Sequence, residues 1–123
     1  MLQAVYAFFD AAFILETDSA DFLAYFDRAY SRLRTAADPR MPIYQVHLSC
    51  SPQVDLDGLT WRTDDPAALA LYAHSAILNA ATARVRSHFL FHAAALAAPD
   101  GAVVILASRA GLGKTTLALA LLT

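Results

Sequence analysis

The chain has 123 residues, enough for one small domain, and alanine alone supplies 27 of them, so its 58% hydrophobic share is partly compositional bias. The net charge is −2, with the basic residues spread along the chain. That balance argues against nucleic acid or an anionic membrane surface as the main partner.

Residues 2–9 and 11–17 are rich in aromatic and aliphatic side chains and read as two short strands, with Asp10 near the turn. Asp18 or Ser19 caps a following helix, and Asp21 in its first turn suits the helix dipole. Phe22, Tyr25 or Phe26, Ala29 and Leu33 recur at helical spacing, and Arg28, Arg32 and Arg34 sit toward the cation-favouring end. Residues 37–42 form a break, 43–48 a strand, 52–58 a loop and 59–62 a further short strand. Cys50, in the segment after the third strand, is the single cysteine, so no intrachain disulfide framework is possible.

Asp64-Asp65-Pro66 marks a helix start, an acidic cap followed by proline at the first helical position, and the helix is expected to reach about Arg86. Its apolar run from 67 to 83 contains His74 and Asn79 and makes a poor membrane span. With no signal-peptide pattern at the start, the expectation is a soluble cytoplasmic protein. Residues 89–97 read as a strand, Pro99-Asp100-Gly101 as a turn, 102–107 as a wholly apolar strand, 108–113 as a glycine-containing loop and 114–122 as a helix.

The loop carries the chemistry. Val103 to Ala107 lead into Ser108-Arg109-Ala110-Gly111-Leu112-Gly113-Lys114-Thr115-Thr116. The Walker A pattern asks for glycine, four residues, then Gly-Lys-Ser/Thr. Gly113-Lys114-Thr115 fits, Gly111 adds a loop glycine, and Ser108 stands where the first glycine belongs. An apolar strand anchors such a loop, glycines let successive N–H groups turn toward phosphate oxygens, and the next helix adds its positive end. Lys114 is then expected to reach the β- and γ-phosphates of ATP, and the Thr115 hydroxyl to ligate Mg²⁺. Ser108 has to accept the backbone angles of the first position, and serine tolerates fewer than glycine.

Together, Leu90-Phe91-His92-Ala93-Ala94-Ala95-Leu96, a short turn, Val103 to Leu106 and the loop resemble the HPr kinase/phosphorylase family. The resemblance covers residues 88–122 well and 1–87 loosely. It implies an α/β, P-loop-containing HPr-kinase-like fold beginning at residue 88, truncated after the P-loop helix and preceded by an α+β region over 1–87. It also implies ATP-dependent phosphorylation of a hydroxyl, typically a protein serine. Gly111, Gly113, Lys114 and Thr115 carry over as phosphate and Mg²⁺ binders. His92 matches the family's histidine near the active site, where the family has glycine next and this chain has Ala93.

The family's catalytic acidic residues lie downstream of the P-loop helix, and no acidic residue follows Asp100 here. The chain alone is therefore expected to bind nucleotide without transferring a phosphoryl group. The simplest expectation is an N-terminal piece of a longer protein or a truncated gene product. Leu117, Leu119, Leu121 and Leu122 would lack part of a covering layer, which predicts association, disorder or aggregation, including self-association through this helix. The competing readings are another P-loop ATPase and a non-catalytic interaction module with a vestigial loop.

Weaker candidates remain. His47 and Cys50 are too few for a metal site. Asp55 and Asp57 beside Gly58 are a fragment of a calcium-loop pattern and read better as a solvated turn. Arg84, Arg86 and His88 could meet an acidic group or phosphate, or serve a helix end. Arg109 is expected in solvent and Trp61 in packing.

Overall fold

The structure is a computed structural model that describes residues 1–90, 93–109 and 111–122. It is mixed α/β, with three helices and seven strands in two sheets among the described residues. Contacts divide it into two units, 1–88 and 89–123.

The first unit begins with β1 (Leu2–Phe8) and β2 (Ala11–Thr17), an antiparallel hairpin closed by Phe9 and Asp10. Helix α1 (Ala20–Tyr30) follows. The Ser19 hydroxyl accepts the Phe22 N–H at 3.1 Å, satisfying one of the donors a helix start leaves open. The helix stops earlier than its apolar spacing suggests. A one-turn 3₁₀ helix (Ser31–Leu33) delivers Arg34 and Thr35 to the outer edge of β1, where Thr35 N–H donates to the Val5 carbonyl at 3.1 Å.

β3 (Ile43–His47) pairs parallel with β2, and β4 (Gln53–Leu56) and β5 (Leu59–Arg62) complete an antiparallel meander, giving the order β1-β2-β3-β4-β5. The expected loop over 52–58 is thus corrected. It contains β4 and the tight turn Asp57-Gly58, whose φ angles of 49° and 82° are the positive pair a two-residue hairpin of this twist requires. Helix α2 (Pro66–Ala83) starts as the Asp65-Pro66 pair dictates, with the Asp65 carboxylate accepting Ala67 and Ala68 N–H. It ends three residues before Arg86. There the Asp10 carboxylate takes the Arg86 and Ser87 N–H groups and the Ser87 hydroxyl, drawing the chain out of the helix. These donors hold the Asp10 carboxyl below the usual carboxylate range, the Ser87 hydroxyl most of all.

Strand side chains alternate between faces, and one face packs under both helices. Tyr6, Phe13, Leu15, Tyr44, Val46, Val54 and Leu56 form one cluster with Phe22, Phe26, Leu69, Ala73 and Ile77. At its edge the Tyr6 hydroxyl donates to Asp27 at 2.8 Å, Arg34 pairs with the same carboxylate, and the guanidinium lies 5.0 Å from the Tyr6 ring centroid. The other face carries an apolar row, Val5, Ile14 and Ile43, beside a polar one. Gln3, Glu16, Gln45, Asp55 and Thr60 line up across all five strands, and Gln3 and Gln45 both donate to Glu16.

His74 joins the helices. Tyr25, Phe26 and Tyr30 surround its ring at 5.3–5.8 Å, and its Nε2 lies 3.2 Å from the Tyr30 hydroxyl. Burial lowers its pKa from the ordinary histidine value. The unfolded chain therefore takes up the proton more readily than the folded one. The resulting stability is present above the ordinary histidine pKa and is lost as pH falls through the lowered one. Thermal melts are expected to show a lower Tm at pH 5 than at pH 7, a range in which carboxylates stay largely ionised. The drop should be smaller in His74→Phe, and an equal drop in both proteins would refute the assignment.

The second unit holds β6 (Ala93–Ala97) and β7 (Val103–Ala107), antiparallel, followed by α3 (Lys114–Leu121). Ala94, Leu96, Leu106 and Val104 share one face of this hairpin, and Ala93, Ala95, Ala97, Val103 and Ile105 the other. No described residue from 89 onward is buried, and Leu117, Leu119, Leu121 and Leu122 are exposed. Among the described residues no helix is long and apolar enough to cross a membrane.

Candidate functional site

The β7-to-α3 connection is a strand, a loop and a helix. The five apolar residues of β7 pair along their whole length with β6. Asp100 closes the β6–β7 turn by accepting the Ala102 N–H at 3.0 Å. Ser108 and Arg109 leave the strand, exposed.

Gly111 and Gly113 have φ of 82° and 76°, the left-handed region that favours glycine. A Cβ added at either would meet nothing within 4 Å, so what these positions demand is backbone conformation and not room. Ser108 is different. The only non-glycine residues with positive φ among those described are Phe9 and Asp57. The serine therefore carries no left-handed strain, contrary to the concern that its place in the pattern raises.

Gly113 caps α3, and its carbonyl accepts the Leu117 N–H at 2.9 Å. Lys114 is the first helical residue. Its ammonium folds back over the loop and donates to the Ser108 and Arg109 carbonyls at 2.9 and 3.0 Å, with the Ser108 hydroxyl at 3.5 Å. A cavity of about 190 Å³ lies beside it, lined by Leu106, Ala107, Ser108, Leu112, Gly113, Lys114 and Leu117. That lining is mainly apolar and offers no further cation. An anion meeting this loop would therefore depend on Lys114 and the backbone at the helix start.

Thr115 and Thr116 are exposed on the first turn of α3, and their hydroxyls make no hydrogen bond among the described residues. Among those residues no three His, Cys, Asp or Glu side chains could together hold a metal. A Mg²⁺ at Thr115 thus fits only as an ion whose other ligands are phosphate oxygens and water.

No protein-family model, curated protein or solved structure matches this chain.

His92 and Ala110 lie outside the described residues. Arg109 is exposed and takes part through its carbonyl. Asp57 pairs with Arg84 at the end of α2, and Asp55 accepts Gln53 and Thr60 within the β4–β5 hairpin. Arg86 and Ser87 bind Asp10, and the His88 ring rests 4.3 Å from Phe9. Sequence spacing gave no sign of this tie, which joins residues 76 and 77 positions apart. Trp61 packs on Tyr72 with centroids 5.5 Å apart.

Proposed function

We propose that residues 108–116 bind the phosphates of Mg-ATP, and that this chain is the ATP-binding portion of an HPr-kinase-like protein serine kinase. The observation that carries the binding is the Lys114 ammonium held across a loop whose two glycines are both left-handed. Its partners there are neutral carbonyls, and phosphate oxygens are stronger acceptors, so nucleotide would draw the ammonium away from them. Thr115 would hold Mg²⁺ between the β- and γ-phosphates.

The kinase reading rests on the resemblance around His92 and is supported by the antiparallel β6–β7 hairpin that enters the loop. Its acceptor would be a serine hydroxyl on a protein. Residues 101–123 contain no carboxylate side chain that could activate that hydroxyl, so the proposal for this chain is confined to nucleotide binding. Calorimetric titration with Mg-ATP against a Lys114→Ala variant tests it.

The proposal also gives α3 a covering partner, a second copy included, because Leu119 and Leu121 are 61% and 58% exposed. Light scattering is expected to show less self-association in the Leu119→Lys, Leu121→Lys double variant. Unchanged association would remove α3 from the contact.

A further inference from the structure

The five-stranded sheet ends on β5, which has no neighbour beyond it among the described residues. Leu56 and Leu59 flank the two-residue turn and are therefore a hydrogen-bonded pair. Antiparallel pairs alternate between bonded and non-bonded. It follows that Leu59 and Trp61 turn their backbone groups to β4, while Thr60 and Arg62 present theirs to the open edge. The bond from Thr63 N–H to the Pro52 carbonyl, 3.4 Å, continues the same alternation.

The helix beside this edge is unusual for a surface helix. Residues 66–83 contain no Asp, Glu, Lys or Arg, and Leu71 and Tyr72 are 66% and 43% exposed. Two cavities of about 270 and 250 Å³ both reach Trp61 and Tyr72. One is completed by Arg62, Thr63, Ala68 and Leu69, the other by Leu56, Asp57, Leu59, Ala76, Asn79 and Ala80.

We infer that β5 pairs antiparallel with β5 of a second copy, about a twofold axis through Trp61. In that register Thr60 of each copy faces Arg62 of the other. Both are edge-directed residues, so each pair exchanges two backbone hydrogen bonds and every free group of the two strands is met. The interface is isologous, as a twofold requires.

Charge selects a second copy over an unrelated extended peptide. Arg62 and Asp55 share the face that carries the polar row. Arg62 donates only to Gln53, Asp55 accepts only from Gln53 and Thr60, and neither enters an ion pair among the described residues. Across the axis, Arg62 lies beside Thr60 of the second copy, whose hydroxyl points at Asp55. Thr60 is short enough for the guanidinium to reach over it to that carboxylate, once on each side. On the helix side, Trp61 and Leu59 of one copy meet the cavities beside Trp61 and Tyr72 of the other.

Sedimentation equilibrium of the full chain tests this, with Leu119→Lys and Leu121→Lys present throughout to silence α3. The parent is expected to dimerise. Thr60→Pro removes an edge-directed N–H that β4 does not use, and should weaken the dimer by about tenfold or more. Arg62→Glu and Asp55→Arg should each weaken it similarly, and the two together should restore it, which a folding defect cannot do. Circular dichroism confirms folding of each variant. A monomeric parent, a dimer indifferent to Thr60→Pro, or charge reversals without mutual rescue would overturn the proposal. So would a monomer that instead takes up an extended peptide along β5.

Discussion

Lys114→Ala is expected to weaken Mg-ATP binding by roughly tenfold to a hundredfold, the equivalent of about 1.5–3 kcal/mol for a hydrogen bond to a charged group. The loss follows from what the ammonium does. In the free chain it spans the Ser108 and Arg109 carbonyls, bonds with a neutral partner on one side. On a triphosphate it would meet charged oxygens, so its contribution to binding exceeds what it gives up. Alanine at position 114 keeps a good helix former at the start of α3 and leaves Gly111 and Gly113 untouched, so the loop should persist with reduced affinity. Thr115→Ala should behave differently, with the loss seen in Mg-ATP and small for ATP in chelator. Rising salt should weaken the wild-type protein more than Lys114→Ala, because the variant has lost a charge contact. Titrations in which wild type and Lys114→Ala bind equally, or neither binds, would sink the nucleotide reading.

Local chemistry made much of the fold legible. Asp65-Pro66 fixes the start of α2 because the cap and the preset φ both act within two residues. Ser19 does the same for α1. The helix ends are not legible, because contacts outside each helix set them. Arg34 leaves α1 for Asp27 and the edge of β1, and Arg86 and Ser87 leave α2 for Asp10. The edge of β1 and Asp10 lie far along the chain, and periodicity within a window cannot register them. The β4 strand was legible in principle. Val54 and Leu56 alternate with Gln53 and Asp55 before Asp57-Gly58, a strong hairpin signal. The density of aspartates hid it, because on the open face of a sheet a carboxylate is as well placed as in a loop.

The candidate site divides along the same line. The spacing of Gly111, Gly113 and Lys114 places the left-handed residues and the helix start, and the structure describes both. The position of the Lys114 ammonium was not legible, since it depends on two carbonyls that approach only once the loop has folded. Nor was the ease with which Ser108 takes its place. Pattern alone treats it as a substituted glycine, whereas its backbone stays outside the left-handed region.

Phe26→Ala is expected to cost about 3–5 kcal/mol, the range for removing a fully buried phenylalanine. Phe26 has no exposed surface and its ring meets Tyr6, Phe13, Phe22, Tyr30 and His74, with centroids 4.8–6.4 Å away. It therefore joins β1, β2, both ends of α1 and the middle of α2. The five neighbours are themselves large and mutually packed, so they cannot collapse into the space, and most of the cavity should persist. Stabilities of small domains run to about 5–15 kcal/mol, so the loss is a large fraction of what the first unit has. At about 4–8 °C per kcal/mol the Tm should fall by well over 10 °C. Trp61, the only tryptophan, sits on β5 against Tyr72 and reports on this unit alone. Its emission should shift at the same temperature as the far-ultraviolet circular dichroism, because one cluster links the helices to all strands from β1 to β4 and touches Trp61 at its margin. A Phe26→Ala melt within a few degrees of the parent, or a Trp61 transition well separated from the loss of helix, would show that this aromatic cluster does not hold the sheet and helices together as one cooperative unit.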